Sequence, residues 1–146
     1  MEVIETSGNC NNLKMDNQVT NTAADLVKQA LKNVLVVMPH LVGLVQHIRP
    51  IPDERVETAA ITASGKLLYN IDWILSLSLQ NITFIMAHEL MHLVLRSHER
   101  QEGTDPELFN IAHDIIINSL LEKAFDCETP ANGLRWQQFY KRAEWE

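Results

Sequence analysis

Two cysteines in 146 residues, Cys10 and Cys127, are too few and too far apart for a disulfide framework. No C-x-x-C pair exists, so a cysteine-type zinc site is excluded too, and both read as free thiols. Positive charge is also scarce. Twelve Lys and Arg stand against 19 Asp and Glu, and the net charge of -7 argues against non-specific binding to nucleic acid or to an anionic membrane. Long apolar runs are missing. Met1 to Thr20 is polar, with Glu2, Glu5, Asn9, Asn11, Asn12 and Asn17, and holds no apolar stretch of the signal-peptide kind. The run Val34 to Val45 is broken by Pro39 and His40 and is too short to span a bilayer. A cytoplasmic location is the resulting expectation. There is no internal repeat and no low-complexity segment.

What is present is enough for one folded domain. The hydrophobic content of 46% supplies a core, and the length suits a single compact unit. Residues 1–20 read as a flexible leader, 21–125 as the domain, and 126–146 as a tail or the start of a further region. Asn21-Thr22 can cap a helix through Ala23, Leu26, Val27, Ala30, Leu31 and Val34, spaced as one buried face. A second helix is expected from Pro39 to Ile48. Arg49-Pro50-Ile51-Pro52-Asp53 reads as a connector, because its prolines stop a helix. Val56–Thr62 and Leu67–Asn70, joined by Ala63-Ser64-Gly65-Lys66, predict a β-hairpin. Asp72 is expected to cap a short helix to Ser78, and Asn81 to begin a long one ending near Arg96–His98. Asp105-Pro106-Glu107 is a helix start: a capping Asp, Pro in the first turn and an acid beside it. That helix is expected to run to about Ala124.

The chemistry concentrates in His88-Glu89-Leu90-Met91-His92, an H-E-x-x-H pattern within an apolar helical run. Residues four apart share a helix face, so His88 and His92 can offer two imidazole nitrogens to one Zn²⁺. Glu89 lies about 100° further round the helix, beside the metal, where a carboxylate can take a proton from an activated water. A metal-free helical core is the plain alternative, and it accounts poorly for two histidines and a glutamate on so apolar a helix.

Catalytic zinc takes three protein ligands. Asn110, Asp114 and Asn118 form a polar stripe, four residues apart, on an otherwise apolar helix. If that helix packs antiparallel on the first, Asp114 can reach the metal, and the two asparagines can hold the carboxylate and nearby backbone. A ligating carboxylate, a carboxylate bonded to the spare N–H of a ligating histidine, and a solvated face are all open readings of Asp114. His98 lies ten residues after His88, the offset of H-E-x-x-H-x-x-G-x-x-H proteases, with Leu95 where those carry the turn-forming Gly. His113, next to Asp114, is a third candidate. His40 and His47 read as surface or core-edge residues, Glu122 and Asp126 as a solvated helix end, and Trp136, Tyr140 and Trp145 as packing groups.

Three segments carry a resemblance. Leu68-Tyr69-Asn70 is followed by a short helix and Ser76-Leu77-Ser78-Leu79. Next comes His88-Glu89-Leu90-Met91-His92-Leu93-Val94-Leu95, and then Asn110-Ile111-Ala112-His113-Asp114-Ile115-Ile116-Ile117-Asn118. Together they resemble the metallopeptidase domain that precedes a von Willebrand factor A-like domain in certain bacterial proteins. The resemblance implies an α+β fold: a mainly helical, zincin-like core with a small β-hairpin or sheet, a buried active-site helix and a backing helix. It places Asp114 at a characteristic family position. It implies a zinc peptidase acting on protein or peptide substrates, with Glu89 as general base and His88, His92 and Asp114 on the metal, and a von Willebrand factor A-like or other protein partner. A non-catalytic zinc module, its metal closed off by His88, His92, His98 and Asp114, is the alternative. Zn²⁺ suits the donor set best, and non-haem Fe²⁺ also fits it.

Overall fold

The computed structural model describes residues 9–100 and 102–130, apart from the side chains of residues 9–21, 97 and 98. Its elements are helix α1 (Asn9–Val37), a tight turn at Pro39–Leu41, α2 (Val42–His47), strands β1 (Arg49–Pro52), β2 (Ala59–Ile61) and β3 (Lys66–Tyr69), then α3 (Ile71–Leu75), α4 (Leu79–Val94), α5 (Ser97–Arg100) and α6 (Pro106–Phe125). The fold is α+β, mainly helical with one small mixed sheet. Among the described residues no helix is long and apolar enough to cross a membrane. The tail aromatics Trp136, Tyr140 and Trp145 lie outside the described residues.

Helix α4 sits at the centre, in contact with α1, α6 and β2. Its Ile82, Phe84, Met86, Ala87, Leu90 and Met91 are buried, as a helix apolar on most sides requires. Against them α1 presents Ala23, Val27, Ala30, Leu31 and Val34, all but sealed from solvent. The expected start of α1 at Asn21 is superseded: the helix continues back to Asn9, because no Gly or Pro interrupts residues 9–37 and a mid-helix Asn-Thr costs only about 1 kcal/mol in propensity. Thr83 is a buried polar group of α4. Its hydroxyl donates to the Leu79 carbonyl at 2.8 Å and accepts from the Asn33 amide at 3.4 Å, so the α1–α4 contact leaves it bonded.

The hairpin forms with Ala59 opposite Tyr69 and Ile61 opposite Leu67. Its turn needs Gly65, whose φ is +92° and where a Cβ would lie 3.1 Å from the His47 ring. The predicted connector is instead a strand. β1 pairs in parallel with β3, giving the order β1-β3-β2. Arg49 N–H donates to the Gly65 carbonyl and Asp53 N–H to that of Tyr69. By alternation, the nitrogens of Pro50 and Pro52 face away from the sheet, where a missing N–H breaks no ladder bond.

Two helix starts move by a residue or two. Asn70, not Asp72, caps α3, its side chain accepting from the Trp73 N–H at 3.0 Å. Ser78 caps α4 by accepting from the Asn81 N–H. α6 begins as the sequence predicts: one Asp105 oxygen accepts from the N–H groups of Glu107 and Leu108, with Pro106 in the first turn.

Candidate metal centre

Helices α4 and α6 run antiparallel. Phe84 meets Phe125, His88 meets Asn118 and Asp114, and His92 meets Asp114 and His113, so the partner's number falls as the α4 number rises. The i, i+4 spacing of His88 and His92 puts both rings on the face turned to α6, in an edge-to-face pair with centroids 4.9 Å apart. The matching spacing of Asp114 and Asn118 puts both side chains on the α6 face that answers them.

Three donor atoms converge there. Asp114 Oδ1 lies 3.1 Å from His88 Nε2 and 3.2 Å from His92 Nε2, and the two nitrogens are 3.2 Å apart. A tetrahedral zinc with ligands at about 2.0–2.1 Å separates its ligand atoms by about 3.3–3.4 Å, so this triangle nearly matches one face of such a shell. Three electron-rich atoms this close repel one another unless a proton or a cation lies among them. The donor set therefore fits a small divalent cation with nitrogen and oxygen ligands. His88 and His92 keep under a fifth of their side-chain surface exposed and Asp114 about a third, so the site is partly dry yet keeps contact with solvent.

The electrostatics follow from this crowding. Burial alone would raise the Asp114 carboxyl, but hydrogen bonds from His88 and His92, and their charge, hold it well below the usual carboxylate range. Burial likewise works against a charged His88, yet the bond to Asp114, the nearby Glu89 and the bond to Asn118 leave its pKa above the ordinary imidazole value. Glu89 is half-buried on α4 beside these groups. Burial pushes its carboxyl above the ordinary value; His88 and His92 oppose this and Asp114 adds to it.

His113 does not join the triangle. It is buried, stacked on Phe109 at 4.3 Å and lying parallel to His92 at 6.3 Å. Burial, with His92 and Arg100 nearby, holds its pKa below the ordinary value, so it lines the site as a neutral ring. The side chain of His98 lies outside the described residues. Its backbone follows a real turn: α4 stops at Val94, and Arg96 takes a left-handed φ of 54° without being glycine. An ion pair between Arg96 and Glu99 accompanies the turn. The asparagines of the polar stripe part company. Asn110 is exposed, whereas Asn118 is buried and bonds His88 at 2.7 Å. The four-residue stripe announced a shared face, but which ligand Asn118 meets depends on how far α6 is offset along α4, and no sequence pattern encodes that offset.

Residues 16–145 match the model of one protein family, described as "Putative metallopeptidase domain". No curated protein and no solved structure matches the chain.

Proposed function

The chain belongs to this metallopeptidase-domain family, and from that premise we propose that it is a zinc-dependent peptidase with its centre at His88, His92 and Asp114. The observation that carries the reading is the donor triangle with a desolvated Glu89 beside it. The metal, when bound, supplies Lewis-acid activation of water and of the scissile carbonyl. The residues divide the remaining work. His88 and His92, fixed on one helix, and Asp114, brought in from α6, hold the cation. Glu89 takes the proton from water and gives it to the leaving amine. A pKa raised by burial makes the carboxylate a stronger base towards water. His113 and Phe109 wall the site with rings that do not compete for the proton.

A peptide substrate fits the sheet as an added strand. β1 offers no N–H donor at Pro50 or Pro52 on its outer side. β2 does: its pairing leaves the backbone groups of Ala59 and Ile61 turned outward, on the strand that packs against α4. An extended substrate on that edge would lie along the strand that meets the helix bearing the histidines.

The test combines metal content with hydrolysis of a peptide library read by mass spectrometry. Wild-type protein is expected to hold near-stoichiometric zinc, lost in His88→Ala and Asp114→Ala. Glu89→Gln is expected to keep fold and metal and to lose about 10²–10⁴-fold in rate. Undiminished cleavage by that variant would sink the mechanism, and a wild type that takes up no zinc would sink the site.

A further inference from the structure

One polar contact of the site is used neither for holding a cation nor for moving a proton. Asn118 is only 3% exposed, on a helix segment whose other buried residues are Ile115, Ile117 and Leu121. An amide in such surroundings is costly unless bonded. Its Oδ1 lies 2.7 Å from Nδ1 of His88. An amide oxygen accepts and does not donate, so the hydrogen of this bond belongs to Nδ1. A neutral imidazole with its hydrogen on Nδ1 carries its lone pair on Nε2. Nε2 is the atom that faces Asp114 Oδ1 at 3.1 Å and His92 Nε2 at 3.2 Å.

We infer that Asn118 is a positioning residue for the metal centre, holding His88 in the one tautomer and ring orientation that present Nε2 to a divalent cation. The inference rests on the reading of the site given above. Asn118 stands one helical turn beyond Asp114, so α6 delivers both the carboxylate and the group that prepares its histidine neighbour. Packing α6 on α4 thus sets a ligand and a tautomer together. An amide achieves this without adding a further negative charge to the buried site beside Asp114 and Glu89.

The experiment measures zinc affinity by competition with a chromophoric chelator for wild type, Asn118→Leu and Asn118→Asp, with far-UV circular dichroism as the check on folding. Asn118→Leu keeps the shape but cannot accept a hydrogen bond, and its affinity should fall about 10–100-fold. Asn118→Asp still accepts from Nδ1 and should bind zinc at least as tightly as wild type. A purely structural role for Asn118 would not produce that rescue. Equal affinity for wild type and the Leu variant would overturn the inference. Long-range ¹H–¹⁵N correlation spectra of zinc-loaded wild type give a second readout. They should show His88 protonated on Nδ1. A hydrogen on Nε2 would overturn the inference, even where the Leu variant does not fold. A wild type that binds no zinc removes the metal centre itself and is recognisable as a different failure.

Discussion

At the scale of single residues the site carries a tension between stability and chemistry. Glu89 is a carboxyl held above its ordinary value of 4.5, chiefly by burial. Such a group favours folding least when it is ionised. The cost is present at pH above the raised value and fades as pH falls through it and below 4.5. With metal removed by chelator, Glu89→Gln should therefore melt above wild type at neutral pH, and the two melting curves should converge as the pH approaches about 4. Equal melting temperatures at neutral pH would mean that the carboxylate is not desolvated. With Asp114 left among open readings, the shared faces of His88 with His92 and of Asp114 with Asn118 were legible in the sequence, because helical periodicity assigns faces to residues four apart. The roles of Asn118 and His113 were not. Both depend on how α6 is seated against α4, which is decided by the fit of Phe84 to Phe125 and of the apolar side chains around them.

Among the elements, legibility followed how local the signal was. The start of α6 was readable because Asp105 and Pro106 act within one turn. The hairpin was readable because its turn needs a residue like Gly65, whose positive φ strains any side chain and where a Cβ would press on the His47 ring. Gly65→Ala should cost about 1–2 kcal/mol from the backbone conformation alone, seen as a lower midpoint in urea unfolding with an unchanged slope. A change of slope would show that the sheet, not the turn, had altered. β1 was misread for a physical reason. Proline is a strong signal against helix and against central strands, but on an edge its missing N–H costs nothing, and only the position of β3 shows that Arg49–Pro52 is an edge. The early start of α1 escaped because Asn21-Thr22 resembles a cap, and nothing local distinguishes a cap from a tolerated interior pair.

For the molecule as a whole, the proposed metal centre is also a joint. His88 and His92 belong to the central helix and Asp114 to the helix that backs it, so a cation held by all three fastens α6 to the core. Zinc at one hundred times its dissociation constant should stabilise wild type by about 2.7 kcal/mol, measured as a rise in melting temperature, with no rise in His92→Ala. Wild-type melting that ignores zinc would show that α6 is seated without it. The sheet has a further consequence, for assembly. Its two sides are unequal: β2 can receive another strand, whereas Pro50 and Pro52 make β1 a poor acceptor. Copies joining edge to edge would stop at a pair, since each has one usable side. Pro50→Val with Pro52→Val should open the second side and produce larger species by light scattering, and a variant that stays at wild-type size would show that other features guard that edge. The two prolines that disguised this strand deny that edge two outward N–H donors, the means by which a three-stranded sheet is kept from serving as the repeat unit of a fibre.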